Sequence, residues 1–138
     1  MVQRLRVLFY CIGNACRSPM AEAICRHLGQ GRLEVESAGV APLGSISAGS
    51  LRALQTLGID AEGLQCKGLT DVSASEFDLV ISLDAGFPVK LVLGPEVAFR
   101  CEDWDIPDPI GGDDNSYREV ARLLLQRIED LLQREGVL

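Results

Sequence analysis

Short apolar runs at regular intervals constrain the fold of this chain most strongly. Four such runs lie at about 5–10, 33–37, 78–83 and 97–101. Each run is brief and continuously apolar, which is typical of strands that are buried on both faces of a parallel sheet. The runs therefore predict a sheet with helices on both sides, since parallel strands need crossover connections.

Helix-like segments separate and follow these runs, at about 19–28, 47–57 and 114–134. A further stretch at 85–92 is ambiguous because Gly86 and Pro88 interrupt it. Gly58 and Gly136 are good C-terminal stops for the second and last helices. The alternation predicts an α/β fold, a single doubly wound domain over residues 1–138. Its small parallel sheet of about four strands is flanked by helices and is flavodoxin-like.

Composition and charge exclude several classes of function. The net charge of −7 argues against non-specific binding to nucleic acid or to an anionic membrane. No apolar run approaches the roughly 20 residues of a membrane span, and the N terminus lacks a signal-peptide pattern. The five cysteines are odd in number and lack the spacing of a disulfide scaffold, so we expect reduced thiols in the cytoplasm. No metal site is predicted, because Cys11 and Cys16 lack a second ligand pair.

The segment CIGNACRS, residues 11–18, joins the first strand to the first helix. In doubly wound sheets, ligands bind beyond the carboxyl ends of the strands, where this loop lies. Its N–H groups can turn inward as an anion nest at the positive end of the helix. Gly13 and Asn14 tolerate positive φ, Ser18 is a plausible helix N-cap, and Arg17 can bind two oxygens of a tetrahedral anion. We predict a phosphate site made by Ile12, Gly13, Asn14, Ala15, Cys16, Arg17 and Ser18.

Cys11 stands first in this loop, so its sulfur is expected beneath the bound anion. A thiol beside inward N–H groups, a helix N terminus and an arginine ionises readily. A thiolate held against phosphate is a nucleophile aimed at phosphorus. Ser18 can donate its hydroxyl to that thiolate.

The full run CIGNACRSPMAEA resembles the signature of the low-molecular-weight protein tyrosine phosphatase family, and the similarity extends over nearly the whole chain. DLVISLD, residues 78–84, resembles the family's third strand. In ESAGV, residues 36–40, the resemblance implies that Ser37 supports the loop by a hydrogen bond to Asn14. In IPDPIGG, residues 106–112, it implies that Asp108 is the general acid. Asp105 is a weaker candidate because no proline follows it.

The resemblance implies a phosphatase without metal or cofactor. Cys11 attacks phosphorus while Asp108 protonates the leaving oxygen, and Asp108 then activates water to hydrolyse the cysteinyl-phosphate. Arg17 and the N–H nest stabilise the equatorial oxygens. The substrate is a phosphorylated protein or a small aryl phosphate, with no nucleic-acid or membrane partner. In the family the second loop cysteine, here Cys16, can form a disulfide with the nucleophile under oxidation.

Three departures from the family pattern leave alternatives open. Ala15 is smaller than the aliphatic residue of tyrosine-specific members and differs from the threonine of arginine phosphatases. Ile110 stands where aromatics usually stack on the substrate ring, and Leu64 stands where a histidine often supports the loop asparagine. An arginine phosphatase, a thiol-dependent arsenate reductase and a catalytically silent anion-binding module are the alternatives. The arsenate chemistry typically needs a cysteine pair after the third strand, and that segment contains none.

Overall fold

A computed structural model describes residues 4–138. Four parallel strands form one sheet in the order β2-β1-β3-β4, the flavodoxin-like arrangement that we predicted. Their bounds are β1 Leu5–Cys11, β2 Leu33–Gly39, β3 Leu79–Ser82 and β4 Arg100–Asp103. The first strand is central, so the loop that follows it lies between the ends of its neighbours.

Both faces of β1 are buried, which explains why its sequence is apolar without alternation. Val7 and Phe9 point into the larger core, beneath the first and last helices, whereas Leu8 and Tyr10 point into a smaller core on the opposite face. The Tyr10 hydroxyl donates to the carbonyl of Phe87, and burial raises the pKa of Tyr10 to about 12. Two helices cover one face of β1, and a short helix with irregular segments covers the other, so both faces hold β1 in place.

The helices are α1 Arg17–Gly29, α2 Ala48–Thr56, α3 Val89–Leu93 and α4 Asp114–Arg134. Gly58 and Gly136 have φ of 72° and 74° just beyond α2 and α4, as expected of C-terminal stops. The inward face of α4 is an apolar stripe, in which Val120, Leu124, Ile128 and Leu131 are buried. No helix within residues 4–138 has both the length and the apolarity that crossing a membrane requires.

Two local predictions were wrong. Residues 97–99 do not belong to the fourth strand, which begins at Arg100 and is a polar edge strand; Phe99 instead packs against the smaller core. Ser18 is not the N-cap of α1, because Cys16 occupies that position and Ser18 lies inside the first turn. Phe99 is apolar because it packs against the smaller core, not because it belongs to a strand. The Ser18 hydroxyl contacts Cys11 and Asn14 and does not cap the helix.

Candidate active site

The loop after β1 is held from outside through its carbonyl groups. The carbonyls of Cys11, Ile12, Gly13 and Ala15 accept hydrogen bonds from the N–H groups of Val40, Ala41, Leu43 and Ser47 at 2.8–3.0 Å. Within residues 4–138, the N–H groups of positions 12–16 donate to no other protein group. They are therefore available to an anion, and the N terminus of the 13-residue helix α1 adds its positive field.

Asn14 is the internal brace of the loop. It is fully buried and has a φ of 47°, as predicted for this position, whereas Gly13 does not adopt positive φ. Gly13 is small for another reason, because a Cβ there would lie 2.8 Å from Cγ of Leu43. The Asn14 amide donates to the hydroxyls of Ser18 at 2.8 Å and Ser37 at 3.0 Å, and its oxygen accepts from the N–H of Lys67 at 2.8 Å.

The implied contact between Ser37 and Asn14 is thus present, and a carboxylate extends it inward. The Ser37 hydroxyl donates to Oε1 of Glu22 at 2.6 Å, and Arg26 donates to the other oxygen of Glu22 at 2.6 Å. Glu22 is only 3% exposed, so this ion pair and hydrogen bond compensate for a buried charge. Leu64 lies against the larger core instead of supporting Asn14.

The Cys11 sulfur lies 3.0 Å from the Ser18 hydroxyl, and the residue is 2% exposed while it lines a cavity. Ser18 also accepts from Asn14 and lies within 3.2 Å of the Ala38 carbonyl. The Ser18 hydroxyl donates its single proton to the Ala38 carbonyl, and turning that proton toward the sulfur, with the oxygen in place, lets it donate to a thiolate.

Arg17 is buried with its guanidinium fixed at several atoms. Nη1 donates to the carbonyls of Leu83 and Ile106 at 3.3 and 3.0 Å, and Nη2 donates to Oδ2 of Asp84 at 2.9 Å. Its Nε is buried and lacks a hydrogen-bond partner among the described residues. A bound oxyanion would satisfy that donor, since buried polar groups are normally paired.

Asp108 faces the same cavity as Cys11 and Arg17. The cavity has a volume of about 150 Å³, and Leu43 and Ile110 form apolar parts of its wall. Oδ2 of Asp108 lies 3.5 Å from Nη2 of Arg17, and Oδ1 accepts from the N–H of Ile110 at 3.1 Å. The carboxyl is 41% exposed, so water can reach it. Asp105 is exposed and does not line the cavity.

Cys16 also lines the cavity, and two hydroxyl groups surround its sulfur. Ser47 Oγ lies at 3.4 Å and the Tyr117 hydroxyl at 3.9 Å. Burial raises the pKa of Tyr117, and its contact with Cys16 acts in the same direction. Among the other cysteines, Cys66 contacts the Gly13 carbonyl at 3.3 Å, so it packs against the back of the loop.

Sequence reasoning missed two residues of this site. The first is Asp84, which accepts a hydrogen bond from Arg17. Its position could have indicated this role, because an acidic residue just after an apolar strand lies at the same sheet edge as the loop. Leu43 reaches the cavity from the connection after β2, where no local pattern marks it.

The chain is similar to known proteins over nearly its full length. The model of the family described as low molecular weight phosphotyrosine protein phosphatase matches residues 6–136. A glutaredoxin arsenate reductase from Synechocystis sp. is 32% identical over 131 residues, which cover 94% of this chain and 97% of the relative. The low molecular weight protein-tyrosine-phosphatase YfkJ from Bacillus subtilis is 31% identical over 150 residues, covering 93% and 94% of the two chains.

A solved structure gives the same result at the level of fold. The low molecular weight protein tyrosine phosphatase from T. tengcongensis has a TM-score of 0.84 and 30% identity, covering 94% of this chain and 99% of that chain. The family match spans most of β1, the loop of residues 12–16, which we call the anion loop, and the segment that carries Asp108. This chain is therefore a member of the low molecular weight phosphotyrosine protein phosphatase family.

Proposed function

We propose that the protein hydrolyses aryl phosphomonoesters, of which phosphotyrosine is the protein-borne form, through a cysteinyl-phosphate. One observation carries the proposal: a thiol, a fixed guanidinium and a carboxyl group face one cavity of about 150 Å³, in Cys11, Arg17 and Asp108. That set supplies a nucleophile, an anion-binding group and a proton donor within reach of one phosphoryl group.

In the first step, the Cys11 thiolate attacks phosphorus and the bond to the leaving oxygen breaks. Asp108 gives its proton to that oxygen, and the phosphoryl group becomes bonded to sulfur. In the second step, Asp108, now ionised, takes a proton from water as the water attacks phosphorus. The phosphorus–sulfur bond breaks and the thiolate returns, with Ser18 donating to it.

The free N–H groups of residues 12–16 and Arg17 stabilise the charge on the nonbridging oxygens in both steps. Because the loop carbonyls and three donors of Arg17 already have partners, these groups need little reorganisation during the reaction. Removing one preorganised donor of this kind typically raises the barrier by about 2.7–4 kcal/mol.

The walls of the cavity offer aliphatic surface to a flat apolar leaving group, but among the described residues no aromatic ring on which that group could stack. Leu43 and Ile110 are 60% and 53% exposed, so both offer aliphatic surface at the entrance. The missing aromatic contact is worth about 0.5–1.5 kcal/mol, so we expect only modest discrimination in favour of phosphotyrosine. Phosphoarginine remains the alternative substrate, since Ala15 leaves space beside the anion.

A second candidate is arsenate reduction, since the Synechocystis relative, at 32% identity, is a glutaredoxin arsenate reductase. The six residues between β3 and α3, numbers 83–88, contain no cysteine, so that segment cannot resolve an arsenic adduct and arsenate reduction would need thiols from an external reductant. Cys66 lies against the loop, where its sulfur contacts the N–H of Gly44 and the carbonyl of Gly13, both at 3.3 Å.

Two assays on the same preparation test the proposal. We expect turnover of para-nitrophenyl phosphate and of a phosphotyrosine peptide, abolished by Cys11→Ser. We expect no arsenate-dependent oxidation of glutathione in the presence of glutaredoxin, and none of reduced thioredoxin. Arsenate turnover without phosphatase turnover would replace the proposal with the second candidate, and absence of both would leave an anion-binding module. The preferred leaving group is then found by measuring kcat/KM for matched phosphotyrosine and phosphoarginine peptides. The measurement is made with the parent, Ala15→Thr and Ala15→Ile.

A further inference from the structure

A groove lies between the segment that carries Asp108 and helix α4, outside the cavity lined by Cys11, Arg17 and Asp108, which we call the anion cavity. The groove encloses about 420 Å³. Asp108 and Ile110 line both this groove and the anion cavity. The groove and the anion cavity are therefore neighbours, and a polypeptide whose phosphoryl group occupies the cavity places its flanking residues near the groove.

Most of the groove wall is apolar. Pro107 and Pro109 contribute ring carbons, and Ile110 and Leu123 are 53% and 36% exposed despite their aliphatic side chains. Exposed apolar side chains that cluster around a concave surface are typical of binding sites, whereas a single exposed apolar side chain is not.

The charged groups of the groove are all acidic. Its lining contains two carboxylates, Asp108 and Glu119, and no lysine or arginine. Oε1 of Glu119 accepts from the Asn115 amide at 3.1 Å. None of the ion pairs within residues 4–138 involves Glu119. A groove whose wall combines aliphatic surface with a carboxylate outside any ion pair of the described residues fits lysine or arginine, whose stems pack on apolar surface while the cationic head stays at a polar group.

We propose that this groove binds a basic side chain of the phosphorylated polypeptide substrate, close in sequence to the phosphorylated residue. The inference rests on the proposed function and names the substrate class of the same site. An extended peptide advances about 3.3–3.6 Å per residue, so a long side chain one to three positions away reaches a groove that adjoins the cavity. Glu119 is then a specificity-determining residue that recognises the cation, outside the catalytic set.

Phosphotyrosine peptides that differ at single flanking positions test the inference. The series places arginine, citrulline or glutamate one, two or three residues to either side, and kcat/KM is measured for each. At one position at least, we expect arginine to exceed citrulline by about two- to fivefold, the effect of a solvent-exposed ion pair. Glutamate should be the poorest, and the preference should shrink as salt rises, because exposed charges are screened.

The matched variants are Glu119→Gln and Asp130→Asn. Each removes one carboxylate from α4, but Asp130 is exposed and does not line the groove. In Glu119→Gln we expect equal kcat/KM for the arginine and citrulline peptides. In Asp130→Asn we expect the parental preference for arginine. Two results would overturn the inference in an enzyme that still hydrolyses para-nitrophenyl phosphate. One is equal kcat/KM for arginine and citrulline peptides at every position, and the other is a preference for arginine that Glu119→Gln leaves unchanged. If neither that ester nor any peptide is hydrolysed, the proposed function fails first.

Discussion

Gly39 lies directly behind the anion loop, and replacing it with alanine tests how closely function depends on the loop's position. A Cβ at Gly39 would lie 2.8 Å from the nitrogen of Asn14 and the oxygen of Ile12, and 2.9 Å from the carbonyl carbon of Gly13. All three are backbone atoms, so no side chain can rotate away. Ordinary contacts begin at 3.4 Å, and the loop must therefore move by about 0.6 Å, the difference between 3.4 and 2.8.

Two effects of Gly39→Ala follow. Overpacking should lower the free energy of unfolding by about 1–3 kcal/mol. Displaced N–H groups should bind the phosphoryl oxygens less well, since functional groups need to stay within about 0.5 Å of their productive positions. Because misplacement by about 1 Å can cost roughly a hundredfold, we expect kcat/KM for para-nitrophenyl phosphate to fall about ten- to a hundredfold. The affinity for inorganic phosphate should fall as well.

The control is Gly29→Ala at the other end of α1. Its Cβ would meet the Cδ2 of Leu33 at 1.9 Å, so it also crowds the core, but against the end of a side chain. Urea denaturation should show a loss of stability in both variants, while only Gly39→Ala should lose phosphate affinity and kcat/KM. Parental kinetics in Gly39→Ala would refute the dependence on the loop's position.

Three further predictions concern individual side chains. Asp108→Asn should slow hydrolysis of phenyl phosphate by about 10²–10⁴-fold, with a smaller loss for leaving groups acidic enough to depart unprotonated; an equal loss on all esters would contradict a general acid. After peroxide treatment, activity should return with dithiothreitol in the parent but not in Cys16→Ser; mass spectrometry without a disulfide between Cys11 and Cys16 would contradict this. Burial raises the pKa of Cys25 to about 12, so it should remain a neutral thiol and resist iodoacetamide at pH 8 in the folded protein; its rapid alkylation would contradict that burial.

The sequence was sufficient to predict the sheet and the free N–H groups of the loop after β1 because both depend on local patterns, and binding of an anion there stays a prediction. Buried parallel strands are apolar throughout, and an anion nest needs small residues beside a helix N terminus. Ser37 was found only through the family resemblance, since its contact with Asn14 spans 23 positions in the chain. The same limit explains why Asp84 was missed although it follows the third strand directly.

The errors have a common physical cause. Ser18 belongs to a residue type that favours N-caps, yet its hydroxyl is engaged by Cys11 and Asn14. The apolar residues 97–99 precede a strand but pack as a loop, and the strand itself is polar because it lies at the sheet edge. In both cases tertiary contacts outweigh a local preference, and only the structure displays those contacts.

The central claim is that phosphate passes through the sulfur of Cys11. Acid quenching of Asp108→Ala during turnover of para-nitrophenyl phosphate tests it most directly, because this leaving group departs without an acid whereas the second step loses its base. Mass spectrometry of the quenched protein should find one phosphoryl group on the peptide that contains Cys11, and none in the Cys11→Ser form of the same variant. Steady product release with no phosphorylated Cys11 peptide, or a phosphoryl group on a different residue, would contradict the account.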